Sequence, residues 1–256
     1  MSSVAQPFSE VAAVARPFAS VLERVEAWHE SLSALLGSTG GNPTVAQVDA
    51  LIESLVVPDL SERDTLIVGA GFVCAPGFLS SAPWHLSWWL GKFNSFGAIG
   101  RGGVTRRLEA SEDPGSDSFR DYTLLEWWRV PVESGMPHIT GPYVDYLCTD
   151  EYTLTLTVPV YHAGALVGVI GADMYAEDVE RALLPALRAI NGGATLVNRV
   201  ARVVVSTDPH RATGSLYREE GLLATLKSLD TLAVRNIAPV LWGGTSLALL
   251  LELVTA

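Results

Sequence analysis

The chain has 256 residues, 48% of them apolar, with 17 basic against 28 acidic side chains and a net charge of −11. That balance argues against nucleic-acid binding, which needs cations to neutralise phosphates, and against an anionic membrane surface. Cys74 and Cys148 are too few for a disulfide framework or a metal knuckle, so both are expected as buried free thiols in a reducing compartment.

Residues 1–15 lack the basic start of a signal peptide and carry Glu10, so a soluble, cytoplasmic protein is expected. Residues 9–15 suit a helix that Pro17 should interrupt. Beyond it Phe18, Val21, Leu22, Val25, Leu32, Leu35 and Leu36 recur at helical spacing, and the glycines from Gly37 to Gly41 stop the pattern. Thr44 with Gln47 three residues on forms a capping box for a second helix, which Pro58 should end. Residues 65–74 and 84–89 read as strands, the second bearing Trp84, Trp88 and Trp89; these indoles are expected in the core rather than in a ligand wall. The glycine-rich loop 97–103 lacks the Lys-Ser/Thr pair of a nucleotide fingerprint. Residues 111–118 form a polar loop.

The most informative stretch is 121–180. Residues 139–147 are a candidate strand that places Tyr143 and Asp145 on one face. In 152–160 Tyr152, Leu154, Leu156, Val158 and Val160 alternate with Thr153, Thr155, Thr157 and Pro159, the pattern of a strand with one buried face. A turn at His162-Ala163-Gly164 leads into the apolar run 166–174, whose single charge is Asp173. An amphipathic helix follows over 176–190, then a hairpin of 195–198 with 202–206. The last fifty residues read as helical, over 219–229 and again from near Thr245. The uncharged run 236–251, broken by Pro239 and Gly243-Gly244, is too short to span a membrane and is expected as a core or partner-facing helix. The whole is an α+β arrangement: an antiparallel sheet with helices to its side.

Trp127-Trp128, the Pro142-Tyr143-Val144-Asp145 run, the Thr-rich strand and Gly168-Val169-Ile170-Gly171-Ala172-Asp173, in that order, resemble the Cache family of PAS-like small-molecule sensor domains. The resemblance implies a PAS-like antiparallel sheet under a long N-terminal helix, with a helical C-terminal extension. It divides the chain into N-terminal helices (1–60), a ligand-binding domain (61–192) and a rudimentary second module (193–256). In Cache domains that bind amino acids, a Trp-Tyr pair and an Arg hold the ligand carboxylate, and an Asp ending the last strand holds the ammonium. Here Trp127 matches the Trp, Trp128 replaces the Tyr and Asp173 matches the Asp, while Leu125 occupies the place of the Arg. The clamp for a carboxylate is therefore incomplete, and the ammonium half remains. Membrane helices and an output module, usual beside Cache domains, are missing from the chain, so a stand-alone form is expected.

Between Arg129 and Arg181 no Lys or Arg occurs, against Glu133, Asp145, Asp150, Glu151, Asp173, Glu177, Asp178 and Glu180. Glu177, Asp178 and Glu180 suit a helix start. Asp145 and Asp173, on strands and among aromatics, suit a bound ammonium, which carboxylates and ring faces both attract. Trp127, Trp128, Tyr143, Asp145 and Asp173 are the expected ligand-binding residues, with Tyr122 and Arg129 beside them. Tyr152 shares the Leu154 face and is expected in the core. The five histidines show no metal spacing and no nucleophile elbow occurs. A non-catalytic sensor for a cationic amine, polyamine or amino acid is expected, with no cofactor and no metal, signalling through a regulatory partner or a homodimer. The alternative is a dimerisation or scaffold module with a vestigial pocket, using the first helix and residues 236–251 as its surfaces.

Overall fold

The computed structural model describes residues 6–96, 103–146, 148–149, 151–228, 237–240 and 247–251. Helices α1 (Gln6–Ser38) and α2 (Val45–Leu60) come first, then strands β1 (Ile67–Cys74), β2 (Leu86–Leu90) and β3 (Arg106–Arg107). A 3-10 turn at Tyr122–Leu124 and helix α3 (Glu126–Ser134) lead to strands β4 (His138–Val144), β5 (Tyr152–His162) and β6 (Ala165–Tyr175). Helix α4 (Ala176–Arg188), strands β7 (Ala194–Asn198) and β8 (Val203–Ser206), helix α5 (Leu222–Ser228) and strands β9 (Ile237–Val240) and β10 (Leu247–Leu251) complete the chain. The expected glycine-rich loop falls mostly at 97–102, outside the described residues.

The fold is α+β, as the sequence suggests. Six antiparallel strands in the order β3-β2-β1-β6-β5-β4 make the main sheet, and β8-β7-β10-β9 make a second. On one face of the main sheet α1 lies on β5 and α2 on β1 and β2. The α1 stripe Val14, Phe18, Val21, Val25, Trp28, Leu32 and Leu36 is buried there, at the spacing of one helical face. This stripe carries the helix straight through Pro17, where a break was expected. Tertiary burial along about six turns outweighs the roughly 3 kcal/mol that an interior proline costs. The capping box starts α2 as expected: the Gln47 amide donates to Thr44 Oγ1 and the Thr44 amide to Gln47 Oε1. α2 continues two residues past Pro58.

The opposite face is covered by α3, the Tyr122 turn and the segment around Leu108, which bury a second apolar cluster with Val73, Leu86, Trp88, Leu90 and Val169. β5 is consequently buried on both faces, and Thr153, Thr155 and Thr157 are inside the protein rather than in water. Their alternation with Leu154, Leu156 and Val158 separates an apolar core from a polar interior. Tyr152, expected in the core, is 50% exposed at the strand end.

The C-terminal region departs most from expectation. The helix at Leu222–Ser228 forms, but Leu247–Leu251 is a strand between β7 and β9, with Leu247 opposite Asn198 and Val240. The expected helix start at Thr245 lies outside the described residues. A short apolar run is compatible with either state, and here the exposed edge of β7 captures it. Leu247 to Leu250 are buried in that sheet, which removes them as an interaction surface. Among the described residues no helix is long and apolar enough to cross a membrane.

Candidate functional site

β6 sends Ile170, Ala172 and Met174 toward α1 and α2, so the alternation of a strand sends Asp173 to the opposite face. There Asp173 stands between Thr155 on β5 and Gly69 on β1, at 1% exposure. Thr155 Oγ1 donates to Asp173 Oδ1 at 2.7 Å. Its lone pair receives the Tyr143 hydroxyl at 2.8 Å, so the proton order runs from Tyr143 through Thr155 to the carboxylate. Asp173 Oδ2 is buried and has no hydrogen bond among the described residues.

A second acid faces the first. Asp145 follows β4, is 5% exposed, and hydrogen-bonds the Cys148 thiol. Donor atoms of Asp145, Cys148 and Asp173 lie within 4.8 Å of one another, close enough to share one cation. Burial, then the neighbouring Asp145 charge, pushes the Asp173 carboxyl well above the usual carboxylate range, against the Thr155 hydrogen bond. Burial and the two acids likewise push the Cys148 thiol and the Tyr143 phenol up, so both keep their protons. Cys148 is thereby an inert thiol, as is the buried Cys74. A positive guest between the two acids would offset both the burial and the repulsion and favour the ionised form of Asp173.

Around the acids lies a narrow pocket whose free volume is about 10 Å³, room for about one water in this conformation. Of the seven residues expected from sequence, Trp127, Tyr143, Asp145 and Asp173 line it. Trp128 is buried behind them against Tyr122, ring centroids 5.1 Å apart. Tyr122 stacks on Trp127 and donates its hydroxyl to the Cys74 carbonyl at 2.6 Å, so it braces the wall from outside. Thr157 Oγ1 donates to the Trp127 carbonyl at 2.7 Å and pins α3 to β5. Arg129 is on the exposed face of α3, 3.1 Å from Glu133, and does not turn inward. The reason is helical: its neighbours Trp127 and Trp128 take the buried side and leave position 129 to solvent.

The cavity also takes in Val73, Leu86, Trp88, Cys148 and Thr155. Thr155 was legible in the unbroken Thr alternation, had that face been read as polar interior. Trp88 was expected as core; it stands opposite Gly71 in the β1–β2 ladder and reaches across the glycines of β1. A methyl group on Gly69 would come within 3.0 Å of Trp88 Nε1 and 3.2 Å of Asp173 Oδ2, so glycine keeps that approach open. Among the described residues, no Lys, Arg or His lines the pocket. Leu125, at the position of the missing cation, is half-exposed at the start of α3.

A sequence model of the methyl-accepting chemotaxis protein-like first PDC sensor domain matches residues 106–181, the stretch from β3 into α4 that carries Trp127, Tyr143, Asp145 and Asp173. No curated protein matches the chain in sequence. Among solved structures the chain is similar to a methyl-accepting chemotaxis protein X, 16% identical, with 96% of this chain and 95% of that one covered at a TM-score of 0.63. It is also similar to the ligand-binding domain of the Pseudomonas fluorescens chemoreceptor CtaA in complex with L-valine, 16% identical over 96% and 94% of the chains, TM-score 0.58. The ligand-binding domain of the Pseudomonas aeruginosa PAO1 amino acid chemoreceptor PctC in complex with GABA is 17% identical over 96% and 97%, TM-score 0.52. At these identities the likeness is one of fold: an antiparallel sheet under a long N-terminal helix, as in chemoreceptor ligand-binding domains.

Proposed function

We propose that the protein is a non-catalytic sensor whose cavity binds a small amine-bearing ligand. The observation that carries this reading is Asp173 Oδ2, a fully buried carboxyl oxygen without a hydrogen bond among the described residues, at a pocket beside a second buried acid. A buried anion lacking a partner is costly, and an ammonium supplies both the charge and the hydrogen bond. The faces of Trp127 and Tyr143 add cation–π attraction. The solved domains of similar fold support the class of ligand, since L-valine and GABA each carry an ammonium. That no described lining residue is basic favours an amine over an α-amino acid.

Occupancy would reach a partner by population shift. One route runs along β4: Tyr143 is on it, Asp145 follows it, and the buried Asn198 of β7 donates to the carbonyl of Gly141 at 2.8 Å. The second sheet is thus tied to the strand that bears half of the site. Of the 236–251 surface in the scaffold alternative, Leu247–Leu250 is buried in the second sheet.

A thermal-shift panel of alkylamines, polyamines and amino acids against wild type and Asp173→Asn tests the reading. Amines should stabilise wild type and leave the variant unmoved. Equal stabilisation of both proteins, or none by any cation, overturns it.

A further inference from the structure

Among the described residues, five buried side-chain polar atoms have no hydrogen bond, and only two of them, Asp173 Oδ2 and Trp88 Nε1, belong to residues lining the cavity. With the carboxyl ionised, as beside an ammonium, the first is an acceptor and the second a donor. Both flank Gly69, within about 3 Å of the point its side chain would occupy, yet they do not bond each other. Trp88 is 4% exposed and sits in an apolar cluster, so water does not solvate its N–H from behind. A buried indole N–H ordinarily finds an acceptor.

Resting on the amine reading above, we infer that the ligand carries an uncharged hydrogen-bond acceptor one or two carbons from its ammonium, and that Trp88 is the residue that selects for it. The ammonium takes Asp173 Oδ2 and the acceptor takes Trp88 Nε1–H, so one short molecule satisfies both atoms. The acceptor is a hydroxyl, ether or amide oxygen rather than a carboxylate. Asp145 and Asp173 face the same space, and among the described residues no lining side chain offers a positive charge to a second anion. Val73 and Leu86 supply the remaining, apolar wall. Tyr143 and Thr155 are already committed to the relay into Asp173 Oδ1, and Trp88 Nε1–H is a fully buried lining donor without a hydrogen bond among the described residues.

Matched ligands test this on the wild-type protein by calorimetry. 2-Aminoethanol and propylamine share length and charge and differ in the acceptor; glycinamide and glycine differ in the charge of theirs. The expected result is that 2-aminoethanol binds about tenfold or more tightly than propylamine, because propylamine leaves the indole N–H buried and unpaired. Glycinamide should likewise exceed glycine. In Trp88→Phe, which keeps an aromatic wall and removes the donor, the 2-aminoethanol advantage should vanish while propylamine binding stays within a few-fold. Equal binding of 2-aminoethanol and propylamine to wild type overturns the inference while leaving the amine reading intact, and means that an ordered water serves Trp88. Persistence of the preference in Trp88→Phe also overturns it. Glycine binding as tightly as glycinamide overturns the uncharged acceptor. Failure of every amine to bind removes the underlying reading and this inference with it. Should Trp88→Phe not fold, the wild-type pairs alone decide.

Discussion

Thr155 stands directly opposite Asp173 in the β5–β6 ladder and gives its hydroxyl proton to Oδ1 at 2.7 Å, leaving Oδ2 to the cavity. One oxygen of the carboxylate is held by the protein and the other is open to a guest. That division makes the side chain both oriented and reactive toward cations.

A linkage prediction follows from the raised Asp173 carboxyl. The folded state keeps a proton that the unfolded chain loses from about pH 4 upward. The stability from this group is complete below the ordinary carboxylate range and is lost as pH rises through the raised value. Asp173→Asn retains the shape without the titration. Its melting temperature should exceed that of ligand-free wild type near neutral pH, with each kcal/mol worth roughly 2–4 °C in a chain of this size. The two curves should converge toward pH 4. Melting curves across that range check it; an Asn variant less stable at every pH contradicts it.

Removing the relay tests Thr155. Thr155→Val strips Asp173 Oδ1 of its donor and leaves the Tyr143 hydroxyl without its acceptor. Unmet buried polar groups of this kind cost about 1–3 kcal/mol each. Denaturant titration should show a loss in that range, and amine affinity should fall because the carboxylate is no longer oriented. Tyr143→Phe removes only the outer donor and should cost less.

Gly69 offers a steric test that leaves the acids in place. Gly69→Ala puts a methyl 3.0 Å from Trp88 Nε1 and 3.2 Å from Asp173 Oδ2, filling the approach between them. Ligand binding should weaken by tenfold or more, with stability altered by about 1–3 kcal/mol, the usual cost of local overpacking. Calorimetry and a melt on the same sample separate the two effects.

Asp49 on α2 anchors the far side of the sheet and is a control outside the cavity. It accepts from Ser87 Oγ at 2.7 Å, is 2.8 Å from His85 Nε2, and pairs with Arg107 at 2.7 Å. Burial would raise its carboxyl, but the hydrogen bonds of His85 and Ser87 and the nearby positive charge bring it below the usual range. Its contribution is therefore present above the ordinary carboxylate pKa and is lost as pH falls through the depressed one. Asp49→Ala should destabilise by about 1–3 kcal/mol at neutral pH, less in acid, and leave amine affinity intact. A denaturation series at two pH values reads this directly.

Sequence patterns sufficed where one physical signal dominated. The Thr44–Gln47 capping box, the β5–β6 hairpin and the lone Asp173 each come from local chemistry that the structure keeps. Asp145 and Tyr143 were read as a pair from an expected strand over 139–147; the strand ends at Val144, yet both side chains line the pocket. What escaped depends on packing partners distant in the chain. Pro17 is tolerated because α1 buries a long stripe, and Leu247–Leu251 is a strand because β7 presents an edge. Thr155 and Trp88 joined the cavity only because α3 and the Tyr122 turn roof that face of the sheet. Arg129 was lost to solvent once Glu126–Ser134 proved helical, since adjacent tryptophans then fix which side is buried.

The most direct measurement is a crystal structure of the protein with an amine that stabilises it. An ammonium nitrogen within hydrogen-bond distance of Asp173 Oδ2, in a cavity walled by Trp127 and Tyr143, is the expected result. An amine bound elsewhere, with Asp173 Oδ2 satisfied by water or by a side chain of the protein itself, would contradict the account.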